Sequence, residues 1–187
     1  MTRALALGIF ALAGTMALNL PTARADDKDK KEKLDHQEVV FLRDRATDDV
    51  NQWKVAEYAA AHAGNERTRD LAKAIIEERR TDLRDIQKIA KDHDEDIKIP
   101  DEMTARQKMR YDQLTRMPGE NFDRDYTKDL VASYRQTIPE LKRQRDSAGH
   151  VDVREYAGKN VKMFEDHLKQ AEDTQREVWK LNDKDRK

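Results

Sequence analysis

Apolar residues recur every three to four positions through four long stretches of this chain, and almost nothing inside those stretches breaks a helix. That spacing lines one face of a helix with 3.6 residues per turn. The breakers fall between the stretches, at Gly64-Asn65, Pro100, Pro118-Gly119 and Ser147 to His150. An amphipathic helix must bury its stripe against another element, so the pattern predicts an all-α fold in which four helices close on one another. Charged residues are 40% of the chain and hydrophobic ones 37%, a composition that without periodicity would describe disorder. Arranged in stripes, it describes long helices with solvated outer faces.

Both chain ends differ from this pattern. Met1 to Ala25 reads as a secretory signal peptide, with Arg3 in the charged start, an uncharged run from Ala4 to Leu20, and Ala23-Arg24-Ala25 as the cleavage site. A retained anchor is the alternative reading of that run. The expected location is periplasmic or extracellular, with no stable membrane span after cleavage. The chain has no cysteine. Lipid attachment at a lipoprotein cysteine, disulfides, thiolate metal sites and cysteine nucleophiles are therefore excluded together. Cleavage would remove two cations, Arg3 and Arg24, and no acid, moving the net charge from −1 to −3. Acids and bases alternate, so nucleic acid is not an expected partner. An unidentified protein or envelope component is.

Taken in order, residues 26–35 form a charged linker expected to be disordered. Asp35 and Glu38 have capping-box spacing at the start of the first helix, which runs to about Ala63. Gly64 and Asn65 end it and cap the second, Glu66 to His93, making an antiparallel hairpin. Ile97 to Pro100 is extended, and Asp101 to Met117 reads as a short helix with Met103, Met109, Leu114 and Met117 inward. About six extended and sixteen helical residues span ~44 Å, against ~42 Å for each of the first two helices. This connection is long enough to climb the whole assembly and set the third helix parallel to the second; a tight return would give plain up-down order. Asn121 is the expected cap of the third helix, which runs to about Arg145 with Pro139 kinking it near Arg135 or ending it early. Asp152 and Glu155 repeat the capping-box spacing before a fourth helix. The domain spans 36–181, and 182–187 is a fraying tail.

The Gly-x-x-Phe-Asp-x-x-Tyr box at Gly119, Phe122, Asp123 and Tyr126, with the Gly-Asn turn, Leu71-Ala72 and an Ile-Pro connector, resembles a bacterial exported family. It is the family called domain of unknown function 4142, a ferritin-like four-helix bundle, and the resemblance covers Val40 to Gln175. It implies a ferritin-like bundle with a long connection, carrying the short helix, between helices 2 and 3. It also implies inward polar positions: a family Glu falls at Gln52, an Asp-His pair at Glu78-Arg79, and His at Tyr134 and His167. Only His167 matches outright, with Glu78 a conservative change. The resemblance thus implies a polar cluster whose metal-like character has been dismantled.

The residues themselves point the same way. Dinuclear sites in such bundles take Glu-x-x-His, because that spacing puts both ligands on one face. No histidine here has a Glu three positions before it, and Arg79 on the inward stripe would repel a cation. A buried Arg demands a carboxylate; Glu78 points away, so an acid from another helix or the Tyr134 hydroxyl is the expected partner. Gln52, Arg79, Tyr134 and His167 would form a network fixing helix register. An anion held by Arg79, and an Arg79 that snorkels to solvent, are the alternatives. His36, His62 and His150 sit at helix ends with no partner evident. There is no nucleophile elbow and no phosphate loop. No catalytic residue, metal ligand or cofactor is assigned. The expectation is an exported, non-catalytic interaction or stress-associated module. The alternative is a ferritin-like protein binding one or two metals in the bundle.

Overall fold

The computed structural model describes residues 32–117 and 119–184, with side chains through Lys180. The expected signal peptide, linker residues 26–31, Pro118 and residues 185–187 lie outside the described residues. Five helices form: α1 His36–His62, α2 Glu66–Asp92, α3 Ala105–Thr115, α4 Gly119–Ser147 and α5 Val151–Lys184. The described residues contain no strand, so the fold is all-α.

Local chemistry sets the starts. Asp35 accepts from the Glu38 N–H at 2.8 Å and Glu38 accepts from the Asp35 N–H at 3.0 Å, the reciprocal box expected for α1. The Asn65 side chain accepts from the N–H groups of Arg67 and Thr68 and opens α2. Thr104 and Gln107 make a capping box for α3. α4 begins at Gly119, ahead of the expected Asn121 cap, with φ at +43°, a backbone that L side chains rarely adopt. It runs through Pro139 to Ser147 rather than ending early. Ile138 and Leu141, buried on either side of the proline, hold that turn in the core.

Contacts at the ends give the directions. The His150 N–H, in the α4–α5 turn, donates to Glu38 at the start of α1 (2.8 Å). The Asn65 N–H, in the α1–α2 turn, donates to Asp123 at the start of α4 (2.7 Å). His93 at the end of α2 meets Asp152 at the start of α5 (2.9 Å). α2 and α4 therefore run the same way, and the connection between them climbs from one end to the other, as its length allows. α1 packs chiefly on α2 and α4 on α5, while α2 also meets α5 and α1 meets α4. α3 lies against α1 and α4.

Two expectations need correction. The linker does not extend to residue 35: Leu34 is buried in the core and Asp35 caps α1, because the first apolar side chain after the charged run finds a place beneath the helices. The short helix is also less inward than expected. Leu114 is its sole buried residue and Met109 is 59% exposed, since an 11-residue helix laid across a groove can turn only a narrow edge down.

Candidate functional site

Arg79 of α2 is fully buried, and its charge is met from two helices. Its Nη1 lies 3.1 Å from Asp49 Oδ1 on α1 and 3.2 Å from Asp82 Oδ2 one turn along α2. Asp49 Oδ1 also receives Arg45 Nη2 at 2.5 Å. Both guanidinium groups lie over the ring of Phe164 on α5, at 4.9 Å for Arg45 and 4.4 Å for Arg79. Two cations and two carboxylates thus occupy the interior against one aromatic ring. Burial alone would lower both arginine pKa values, but Asp49 reverses this and they end above their ordinary value. Asp82 is pushed up to about 7 by burial, with Arg79 opposing.

The expected acid from another helix is therefore Asp49. Asp82 and Arg45 were not anticipated as partners. Arg45/Asp49 and Arg79/Asp82 each sit one turn apart, a spacing they share with exposed pairs such as Lys88/Asp92, so spacing alone did not mark them.

The remaining inward residues divide. Tyr134 of α4 is fully buried and packs edge-on against Phe164 at 5.3 Å. Its hydroxyl lies 3.5 Å from His167 Nδ1, and His167 Nε2 lies 2.7 Å from Glu78 Oε2. The hydroxyl can donate to Nδ1, while the Nε2 contact with Glu78 is one of proximity, since Glu78 Oε2 has no aligned hydrogen-bond donor among the described residues. Arg79, Tyr134, His167 and Glu78 are thereby linked through Phe164, although Glu78 is only half-buried. Gln52 stands apart: it donates to Ser133 Oγ at 3.2 Å, toward α4 and α3.

The motif residues have structural tasks. Asp123 is buried, takes the Asn65 N–H, and fastens α4 to the α1–α2 turn. Gly64 leaves room there: a Cβ would sit 3.1 Å from Asp123 Oδ2, close enough that the carboxylate would have to shift by a few tenths of an ångström. Phe122 stacks with Tyr126 and tilts against Tyr58.

Of the histidines at helix ends, His150 and His93 find partners. His150 Nδ1 meets Glu38 at 2.6 Å, and His93 lies between the Glu32 carbonyl (2.5 Å) and Asp152. These partners are remote in sequence, which is why spacing did not reveal them. Burial would raise the Glu38 pKa, but the N–H groups of His150 and Asp35 and the His150 ring bring it below its ordinary value. Among the described residues no group of three or more His, Asp or Glu is placed to hold a metal ion, so the metal-binding alternative gains no support. No described helix is long and apolar enough to cross a membrane.

A large groove completes the picture. It runs between α1 and α4, has a volume of about 980 Å³, and is lined by Val40, Phe41, Asp44, Ala132, Gln136 and Thr137 among others.

An all-helical protein whose interior charges are spent on each other, with an open face between α1 and α4, is the class these features define. The chain matches the family described as Domain of unknown function (DUF4142) over residues 22–174, and it belongs to that family. No curated protein and no solved structure matches it.

Proposed function

We propose that this chain is an exported, non-catalytic interaction module built on a ferritin-like four-helix bundle with one crossover connection. One observation carries the reading. The inward side chains at the positions where the resemblance puts metal-binding polar residues are occupied with protein partners: Arg79 by Asp49 and Asp82, and His167 by Glu78 and Tyr134. An arginine in that place repels a cation. The parallel course of α2 and α4 supports the crossover bundle. The apolar run ahead of Ala23-Arg24-Ala25 supports export to the periplasm or beyond. The groove between α1 and α4 is the face on which such a module would receive a partner.

Elemental analysis of mature protein, Asp26 to Lys187, dialysed against iron, manganese and zinc tests this. The expected result is no retained metal. About two metals per chain, the content of a dinuclear carboxylate site, would overturn the reading and make a metal-dependent activity the leading one.

A further inference from the structure

Residues 32–35 lead into α1 as an extended strap, and Leu34 within it is buried in the core. His93, at the end of α2, ties this strap to the bundle and is itself 3% exposed. Its Nδ1 lies 2.5 Å from the Glu32 carbonyl oxygen, and its Nε2 lies 2.9 Å from Asp152 Oδ2 at the start of α5. A carbonyl and an ionised carboxylate only accept hydrogen bonds. A neutral imidazole carries one N–H, so it can serve one of these oxygens and turns a lone pair toward the other. Only the doubly protonated ring donates to both.

The charges around the ring leave room for one extra proton. His150, in the α4–α5 turn, meets His93 edge-on with ring centroids 5.2 Å apart. Its Nδ1 faces Glu38 Oε2 of α1 at 2.6 Å, a contact that a neutral ring makes with its single N–H. A second cation beside the first is disfavoured, so the acceptors select His93 to carry the charge. Asp35, on the strap, is engaged with Glu38 in the α1 capping box. On the α2 side, Asp92 and Asp94 flank His93 in the chain. Asp152 shares a shallow groove with Lys88 and Lys159, but Lys88 meets Asp92 and Lys159 meets Asp85.

We propose that His93 is a proton-dependent latch: its doubly protonated ring fastens residues 32–35 to the end of the bundle, and loss of one proton frees the strap and takes Leu34 out of the core. The latch couples the pH of the surroundings to the seating of the segment that enters α1. Its sign follows from the acceptors. The fastened state binds one proton more than the freed state, so acid closes the latch and rising pH opens it. The inference stands apart from the interaction-module reading, which makes no use of this end of the bundle.

The test is hydrogen exchange of the mature chain at about pH 5 and about pH 8, which bracket the charge change of an ordinary imidazole. Rates corrected for intrinsic exchange give the protection of residues 33–38, and NMR of the ring nitrogens reads His93 in parallel. Protection should fall at least about tenfold from the lower pH to the higher as one charged hydrogen bond is lost, with both His93 nitrogens protonated in the protected state. His93→Gln should show equal protection at both pH values. Asp82 also changes charge in this window but is kept in that variant, so the dependence lost is that of His93. Asp152→Ala removes one acceptor and keeps the ring. A neutral His93 then serves Glu32 through Nδ1–H, so protection should persist at the higher pH. A wild-type change below about tenfold overturns the proposal. So does a strap that stays protected with His93 neutral, which would put the proton on Asp152. A wild-type pH response retained by His93→Gln or by Asp152→Ala overturns it as well.

Discussion

The two sides of α1 use the same side-chain chemistry to opposite ends. On the side facing α2 and α5, Arg45 and Asp49 join Arg79 and Asp82 out of reach of water. On the side facing α3, Asp48 and Gln107, and across the groove Arg110 with Asp125 and Asp129, hold half-solvated contacts. Charge identity does not separate the two regions; desolvation does. In the interior a charge left alone costs several kcal/mol, so each member depends on the others. At the surface water replaces a lost partner, so each contact is nearly dispensable. The interior region is therefore fixed, while the outer face can rearrange at little cost.

The hardest test of that contrast is Asp49→Ala. It removes the one carboxylate shared by both buried guanidinium groups, leaving Arg45 with Asp48 at 3.7 Å and Arg79 with Asp82. The expected loss is about 3–5 kcal/mol in urea unfolding. A loss under about 1 kcal/mol would mean the interior is hydrated and the contrast is false. Arg79→Met should cost less than Arg79→Ala. Its side chain refills the space against Phe164, and Asp82, already shifted toward the neutral form, tolerates losing its cation.

A smaller effect sharpens the comparison through pH. Asp82 has its pKa raised from 3.8 to about 7, chiefly by burial. Between those values the unfolded chain releases this proton while the folded chain keeps it. Stability from this group is therefore complete below about pH 4 and falls as pH rises toward 7. Asp82→Asn should remove that slope, so the difference between wild type and variant changes by a few kcal/mol across the window. The comparison must be differential because Asp48 and Asp123, also raised by burial, add slopes of the same sign. Parallel stability curves for the two proteins from pH 4 to 7 would show that Asp82 is ionised throughout.

This contrast also explains what the sequence could reveal. Periodicity located the helices because Leu42, Val50, Ile75, Ile86 and Leu141 must share faces to be buried at all. Asp35, Glu38 and Asn65 were legible as caps because capping is local. Ion pairing was not. Lys73 lies one turn from both Asp70 and Glu77 and meets Asp70; Arg176 lies one turn from both Glu172 and Asp173 and meets Asp173, while Glu172 takes Arg135 of α4. Such exposed pairs differ by little energy, so spacing cannot choose among them. Arg45/Asp49 has the same spacing as any surface pair. It is buried by a helix more than a hundred residues later, and only the arrival of Phe164 distinguishes it. The motif residues Phe122, Asp123 and Tyr126 were visible through resemblance, but their contacts with Tyr58 and Asn65 required the fold.

Arg110→Ala is the smallest effect and tests the other half of the comparison. Arg110 makes the best geometry on the outer face, with Nε 2.6 Å from Asp129 and Nη2 3.1 Å from Asp125. These hydrogen bonds raise the arginine pKa, with the Asp129 bond contributing most. The side chain is 36% exposed, however, and screening discounts the pair. The expected global loss is under about 1 kcal/mol and shrinks further at high salt. The same change should act locally. α3 has one buried side chain, and Arg110 is its link to two acids of α4, so hydrogen exchange should accelerate in residues 105–115 and not in α1 or α2. A loss as large as that from Asp49→Ala would show that the outer contacts are as desolvated as the inner ones. Uniform exchange changes across all helices would show that α3 is no separate unit but part of the same cooperative core.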